Sequence, residues 1–137
     1  MEKEQFRQEG YKMIDWIIDY YQGIEDLPVK STAKPREIYD SLPDTANEEA
    51  EDFSQIINDF EEKLFKGITH WQHPSFFAYF NANTSYPSVL GELLSSAIGA
   101  QCMSWETSPA AAELEEKVCI WIKHAFGLPL DWEGVIE

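Results

Sequence analysis

The fold of this chain depends on residues 67–112, which read GITHWQHPSFFAYFNANTSYPSVLGELLSSAIGAQCMSWETSPAAA. The stretch contains no Lys or Arg, and its acidic residues are Glu92 and Glu106. Six aromatic residues fall within sixteen positions of it: Trp71, Phe76, Phe77, Tyr79, Phe80 and Tyr86. A ring left in water forgoes roughly 1.5–3 kcal/mol of burial. Because Pro, Asn and Gly interrupt the run, we predict an irregular aromatic segment, covered by the chain's own core, a partner subunit or a small molecule.

Composition narrows the classes of partner. The chain has 137 residues, a formal net charge of −15 and a pI near 4.4. Residues 1–66 carry 17 acidic and 8 basic side chains, and residues 67–137 carry 8 and 2. Nucleic acid and anionic membrane surfaces both need a basic face, so neither is an expected partner. The length suits one domain with a modest core.

The termini and cysteines indicate a cytoplasmic protein. The start, MEKEQFRQEG, lacks the apolar centre of a signal peptide, and no apolar run approaches the ~18 residues of a membrane span. Cys102 and Cys119 are interpreted as free thiols in a reducing compartment.

Hydrophobic periodicity predicts an all-α fold with about five helices and the irregular aromatic segment. Apolar residues recur three and four positions apart in most of the helical parts, and Pro or Gly marks several of their ends. The predicted helices cover 4–23, a short turn through 36–39, a segment with its first turn in the acidic run 48–52 and its end near 66–67, a helix after Ser85, and one from Pro109 to Gly127.

Three aromatic side chains of the first helix lie off its main apolar stripe. Tyr11, Trp16 and Tyr20 are predicted to be exposed there. A helix with aromatic residues on more than one face is expected to contact more than one surface. The sequence therefore predicts that this helix takes part in self-association.

Searches for catalytic chemistry give weak signals. His70 and His73 could share a metal ion, but no third ligand lies nearby and Pro74 disfavours a helix, so packing or substrate contact is preferred. No phosphate-binding glycine loop or nucleophile motif occurs, and the eight lysines lie in polar contexts. From residues alone, the chain is a helical binding or assembly module.

Longer motifs carry a resemblance to a known family. The segments GITHWQHPSFFAYF, SYP, GELLSSAIG, SW and SPAAAELE resemble the N-terminal part of group II pyridoxal-phosphate-dependent amino-acid decarboxylases, especially the aromatic-L-amino-acid decarboxylase branch. The resemblance runs from Phe6 to about Leu130. It implies a homodimer in which residues 1–84 form a helical arm that supplies dimer contacts and a pocket surface. Residues 85–137 would begin an incomplete large domain of the fold type I class.

The resemblance also implies that residues outside this chain bind the cofactor. In the family, pyridoxal phosphate is held by residues that follow this region, including the cofactor lysine. None has a counterpart here, so the 137 residues are expected to be an inactive N-terminal piece that binds no cofactor and holds no catalytic or metal-binding residue. Stand-alone self-association without catalysis is the alternative, and a hydrophobic-ligand carrier is a third possibility.

Substrate-binding positions follow by resemblance. They are Trp71, Tyr79, Phe80, Asn81 and Ala82, with Gln101 and Met103 reaching the pocket from the other subunit. Animal enzymes of the branch typically have Pro-Thr where this chain has Asn81-Ala82, and an aromatic residue is common at the position of Met103. The missing hydroxyl implies a weaker preference for a phenolic substrate, because buried polar contacts dominate such discrimination.

Overall fold

The computed structural model describes residues 1–81, 84–129 and 131–136. Within these ranges the chain is helical and has no strand, which confirms the predicted all-α fold. The α-helices are α1 (Lys3–Gly23), α2 (Glu37–Ser41), α3 (Phe53–Asp59), α4 (Tyr86–Ile98) and α5 (Pro109–Phe126). None of the helices in the described ranges is both long and apolar enough to cross a membrane.

The chain forms two compact units, Met1–Asn83 and Thr84–Glu137. In the first unit, α1 runs into a 3-10 turn at Ile24–Asp26. Ile24 is 6% exposed and is the one buried apolar residue in the described part of the chain. The segment after this turn is tied to the end of the α3 region, because Ser31 Oγ donates to the Lys66 carbonyl at 3.1 Å and the His70 amide donates to the Val29 carbonyl at 3.0 Å.

The region after α3 changes its helical type. A π-helical turn covers Phe60–Leu64 and a 3-10 turn covers Phe65–Gly67, so the predicted end near 66–67 is confirmed. In the π turn, the Phe65 amide donates to the Phe60 carbonyl five residues earlier. This wider turn brings residues five apart toward one face, and the rings of Phe60 and Phe65 lie 5.9 Å apart.

The acidic run 48–52 does not form the first turn of α3, so that prediction was wrong. Asp52 is the N-cap residue in an extended conformation, and its side chain makes no capping hydrogen bond. Ahead of it, Asn47 Nδ2 donates to a Glu51 carboxylate oxygen. The acidic side chains of this run are exposed, and water solvates them without any need for the helix dipole.

Residues near the helix ends determine where α4 starts and where α5 starts and ends. Ser85 caps α4 through a capping box with Ser88, and Pro87 lies in the first turn. Pro109 opens α5, although Ser108 makes no side-chain cap bond. Gly127 ends α5 with φ +63°, a left-handed conformation that glycine adopts without steric cost. The predicted starts at Ser85 and Pro109 and the stop at Gly127 are therefore confirmed.

The tail of the second unit lies along α5. The Ile136 amide donates to Glu115 Oε1 at 3.0 Å, and Lys123 Nζ donates to the Trp132 carbonyl at 2.6 Å. The tail nevertheless leaves much apolar surface in water. Exposed large apolar residues of the two helices include Leu90, Leu93, Leu94, Ile98, Leu114, Trp121 and Phe126.

Candidate functional site

An aromatic cluster joins α1 to the region after α3. Trp16 stacks on Tyr20, with ring centroids 5.6 Å apart and planes 8° apart. Phe60 and Phe65 meet Trp16 edge to face at 5.7 and 5.6 Å, and His70 lies 5.2 Å from Phe65. Such arrangements suit the positive edge and negative face of aromatic rings.

The cluster corrects one prediction about α1. Tyr11 is exposed as predicted, but Trp16 and Tyr20 are half-buried against their own chain. Trp16 Nε1 also donates to Glu61 Oε1 at 2.6 Å. Segments 45 and 50 residues away provide these partners, so the off-stripe position of the two rings reflects long-range packing within the unit.

His70 is buried inside the cluster, with an exposed fraction of 3%. Its Nδ1 lies 3.0 Å from the Tyr20 hydroxyl oxygen. Burial, and secondarily the charge of His73, lower the pKa of His70. Burial also raises the pKa of Tyr20, with a smaller contribution from Tyr21. Both shifts favour neutral groups, which share one hydrogen bond.

His73 is buried as well and shapes the next turn. Its amide donates to the His70 carbonyl at 3.0 Å, and its Nδ1 accepts from the Ser75 amide at 2.9 Å. The Phe76 amide then donates to the His73 carbonyl at 2.9 Å. The two histidines therefore serve local structure, and the described residues contain no group of three His, Cys, Asp or Glu side chains able to hold a metal ion.

Three stacked rings follow these turns, and we call Trp71, Phe76 and Tyr79 the aromatic shelf. The Trp71 ring lies 4.9 Å from Phe76 and 5.6 Å from Tyr79, with interplanar angles of 29° and 15°. Trp71 is 43% exposed and Tyr79 is 85% exposed. The shelf thus presents flat apolar surface to solvent, which suits stacking with another aromatic group.

The structure brings together only some of the predicted substrate-binding residues that it describes. Trp71, Tyr79 and Asn81 lie together, since Asn81 Nδ2 donates to the Trp71 carbonyl at 2.8 Å. Phe80 is fully exposed in the same unit. Gln101 and Met103 belong to the second unit, where both are exposed. Ala82 lies outside the described residues.

Phe76 is a shelf residue that sequence reasoning did not single out for the site. It lies in the aromatic run, but it comes five positions after Trp71, a spacing that neither an α-helix nor a strand brings into contact. The turns built on His70 and His73 bring the two rings together. Pro74 was the available signal, because it marks the segment as a turn.

The fold and the shelf define a helical protein with an exposed surface suited to an aromatic group. A family model described as "Pyridoxal-dependent decarboxylase conserved domain" matches residues 35–136. The chain belongs to this family, which confirms the resemblance found in the sequence.

Relatives agree with this assignment. The chain is 46% identical to the phenylacetaldehyde synthase of Arabidopsis thaliana and 41% identical to tyrosine decarboxylase 2 of Narcissus pseudonarcissus, each over 94% of the chain and 26% of the relative. The structure of Catharanthus roseus tryptophan decarboxylase in complex with L-tryptophan matches with a TM-score of 0.85 and 37% identity, over 94% of this chain and 27% of that one. The chain thus spans about a quarter of the length of the curated relatives it matches.

The described lysines do not fit the role of binding the aldehyde of pyridoxal phosphate. That role needs an ε-amino group that burial or a neighbouring cation keeps partly unprotonated. All eight lysines remain partly or fully exposed. Lys12, Lys63 and Lys66 pair with Glu9, Asp59 and Glu37 at 2.8, 2.7 and 3.1 Å. These lysines therefore provide no group suited to forming a bond with the cofactor's aldehyde.

Proposed function

We propose that this chain is the substrate-side portion of a pyridoxal-phosphate-dependent decarboxylase that acts on aromatic L-amino acids. The observation that carries the proposal is the exposed aromatic shelf, which lies within the region that the family model matches. Relatives named for tyrosine and tryptophan decarboxylation support the substrate class.

The shelf has a defined task in this proposal. Trp71 and Tyr79 receive the substrate's ring, and their apolar faces exclude water from one side of it. Phe80 and Asn81 complete the same edge of the pocket, while Gln101 and Met103 approach from the partner subunit. Ala82 is a further substrate-binding position by resemblance alone. Met103 is unbranched and polarisable, so it adapts to rings of different shape.

The whole protein is proposed to use pyridoxal phosphate, which withdraws the electrons left when CO2 departs. The chain spans 26% of the length of one relative, and we assign binding of this cofactor to the part of the whole protein outside that share. The 137-residue chain alone is accordingly expected to show no decarboxylation. Residues 1–84 would act as the arm and pocket surface, and residues 85–137 would begin the large domain.

A homodimer in the cytoplasm is part of the proposal. The exposed apolar residues of α4 and α5 support the dimer, because contiguous apolar surface in water marks an interface. Cys102 and Cys119 are free, which suits a reducing compartment.

Purification of the natural gene product tests the proposal. We expect a polypeptide several times heavier than 15.8 kDa that carries pyridoxal phosphate and converts L-tyrosine, L-tryptophan or L-phenylalanine to CO2 and the amine. Product analysis in aerated buffer separates two chemistries of the relatives. If the products are an aromatic aldehyde and ammonia in place of the amine, the protein has the activity of a phenylacetaldehyde synthase.

A second candidate is a stand-alone helical module that self-associates without catalysis. The extent of exposed apolar surface on α4 and α5 favours it. A natural gene product of 15.8 kDa that binds no pyridoxal phosphate and forms dimers would support this candidate over the decarboxylase.

A further inference from the structure

A hydrogen bond closes the segment that carries the aromatic shelf. Asn81 Nδ2 donates to the carbonyl of Trp71, ten residues earlier, at 2.8 Å. The bond joins a residue two positions after Tyr79 to the backbone of Trp71, whose ring begins the shelf. The intervening chain, with Phe76 and Tyr79, is thereby held as a closed loop.

The backbone of Tyr79 shows that this loop is under constraint. Its φ is +59°, a left-handed conformation that a residue with a bulky side chain rarely adopts. Burial does not hold Tyr79 there, since its side chain is 85% exposed. The described interactions that can hold it are the stack on Trp71 and the loop closure by Asn81.

The orientation of the Asn81 amide is decided by its partner. A backbone carbonyl only accepts hydrogen bonds, so a flipped amide would set two acceptor oxygens against each other. The Oδ1 atom of Asn81 is buried and has no partner among the described residues. A buried acceptor without a partner is unfavourable, so Asn81 contributes to this loop through its donor group.

We propose that Asn81 is a positioning residue that sets the spacing and tilt of the aromatic shelf through its bond to the Trp71 carbonyl. Given the proposed function, on which this inference rests, Asn81 acts on the substrate's ring through Trp71 and Tyr79 and need not touch it. Asp at this position has the same shape but cannot donate. Loss of the donor alone therefore releases the loop.

Hydrogen exchange and kinetics on the natural chain test the proposal, with variants Asn81→Asp and Asn81→Ala. Asn58→Asp and Asn58→Ala are the matched controls, because Asn58 is exposed on α3. Amides of residues 72–80 should exchange about tenfold faster in both Asn81 variants, while amides of α1 remain unchanged. If amides throughout α1 of Asn81→Asp also exchange faster, that variant has unfolded. The exchange of Asn81→Ala, which adds no charge, then tests whether loss of the donor releases the loop.

The kinetic measurements distinguish a positioning role of Asn81 from a general loosening of the structure. The KM for L-phenylalanine should rise about tenfold with kcat within about twofold, because the shelf acts on binding of the ring. Asn81→Gln, which retains the donor, should recover part of the loss. Exchange within twofold of wild type, or equal changes in kcat and kcat/KM with no recovery in Asn81→Gln, would overturn the inference. A wild-type protein without decarboxylase activity would instead overturn the proposed function, and with it the substrate-facing role of the shelf. Amide exchange would still test whether Asn81 closes the loop.

Discussion

The hydroxyl oxygen of Tyr20 lies 3.0 Å from Nδ1 of His70, and this bond joins α1 to the segment that carries the aromatic shelf. His70 is among the few buried residues of the described part of the chain, and its amide also donates to the Val29 carbonyl. His70 therefore ties three parts of the first unit together, through its imidazole and its backbone amide. Removing the bond between Tyr20 and His70 should change the free energy of unfolding and its dependence on pH.

Tyr20→Phe should lower the free energy of unfolding by about 1–2 kcal/mol, because it leaves a buried imidazole nitrogen without its partner. Urea titration followed by circular dichroism measures the change. Tyr11→Phe is the matched control, since Tyr11 is exposed on the same helix. Equal losses in the two variants would show that the Tyr20 hydroxyl contributes nothing specific.

The lowered pKa of His70 predicts a loss of stability in acid. Burial, and then the charge of His73, hold the folded pKa below the ordinary value of 6.5. Between the two pKa values the unfolded chain binds a proton that the folded chain does not, so stability is full above about 6.5 and falls as pH drops through the folded pKa. Urea midpoints from pH 8 to pH 5 should show this slope. His124→Gln, at an exposed position, should keep the slope, and His70→Gln should reduce it.

Leu94→Glu should shift self-association of the chain toward monomer. Leu90, Leu94 and Ile98 lie four residues apart on one exposed face of α4, and a charge there opposes burial against a second copy. Sedimentation equilibrium at micromolar protein and about 0.15 M salt, where charge repulsion reaches only ~8 Å, measures the shift. Ser96→Glu, on another face of α4, should leave the equilibrium unchanged.

Trp16 and Tyr20 of α1 are unsuitable positions for a charge in this test. Both rings belong to the aromatic cluster, so a charge at either would disrupt the first unit itself. A wild-type chain that remains a 15.8 kDa monomer would show that no second copy covers α4.

Ser85→Ala should weaken the start of α4 by about 1 kcal/mol, since the Ser85 side chain accepts from the Ser88 amide. First-turn amides of α4 should then exchange about fivefold faster, because each 1.4 kcal/mol is a factor of ten. Ser96→Ala removes a hydroxyl from the same helix without touching the cap. Because Ala favours a helix more than Ser does, Ser96→Ala should not speed exchange, and faster exchange in both variants alike would show that the effect is not specific to the cap.

The sequence by itself determined the features that depend on near neighbours. Ser85 and Pro87 mark the start of α4, and Gly127 marks the end of α5, because caps and left-handed stops involve groups only a few residues apart. The uncharged aromatic run likewise located the shelf region and carried the family resemblance.

Only the tertiary structure decided which aromatic residues meet. Trp16 and Tyr20 find partners 45 and 50 residues away, and periodicity along α1 holds no information about a segment that distant. The same limit applies to the shelf, where the bond from Asn81 to Trp71 spans ten residues and accompanies a left-handed Tyr79. Helix ends follow from local hydrogen bonds, whereas the shelf depends on contacts that exist only after the chain has closed on itself.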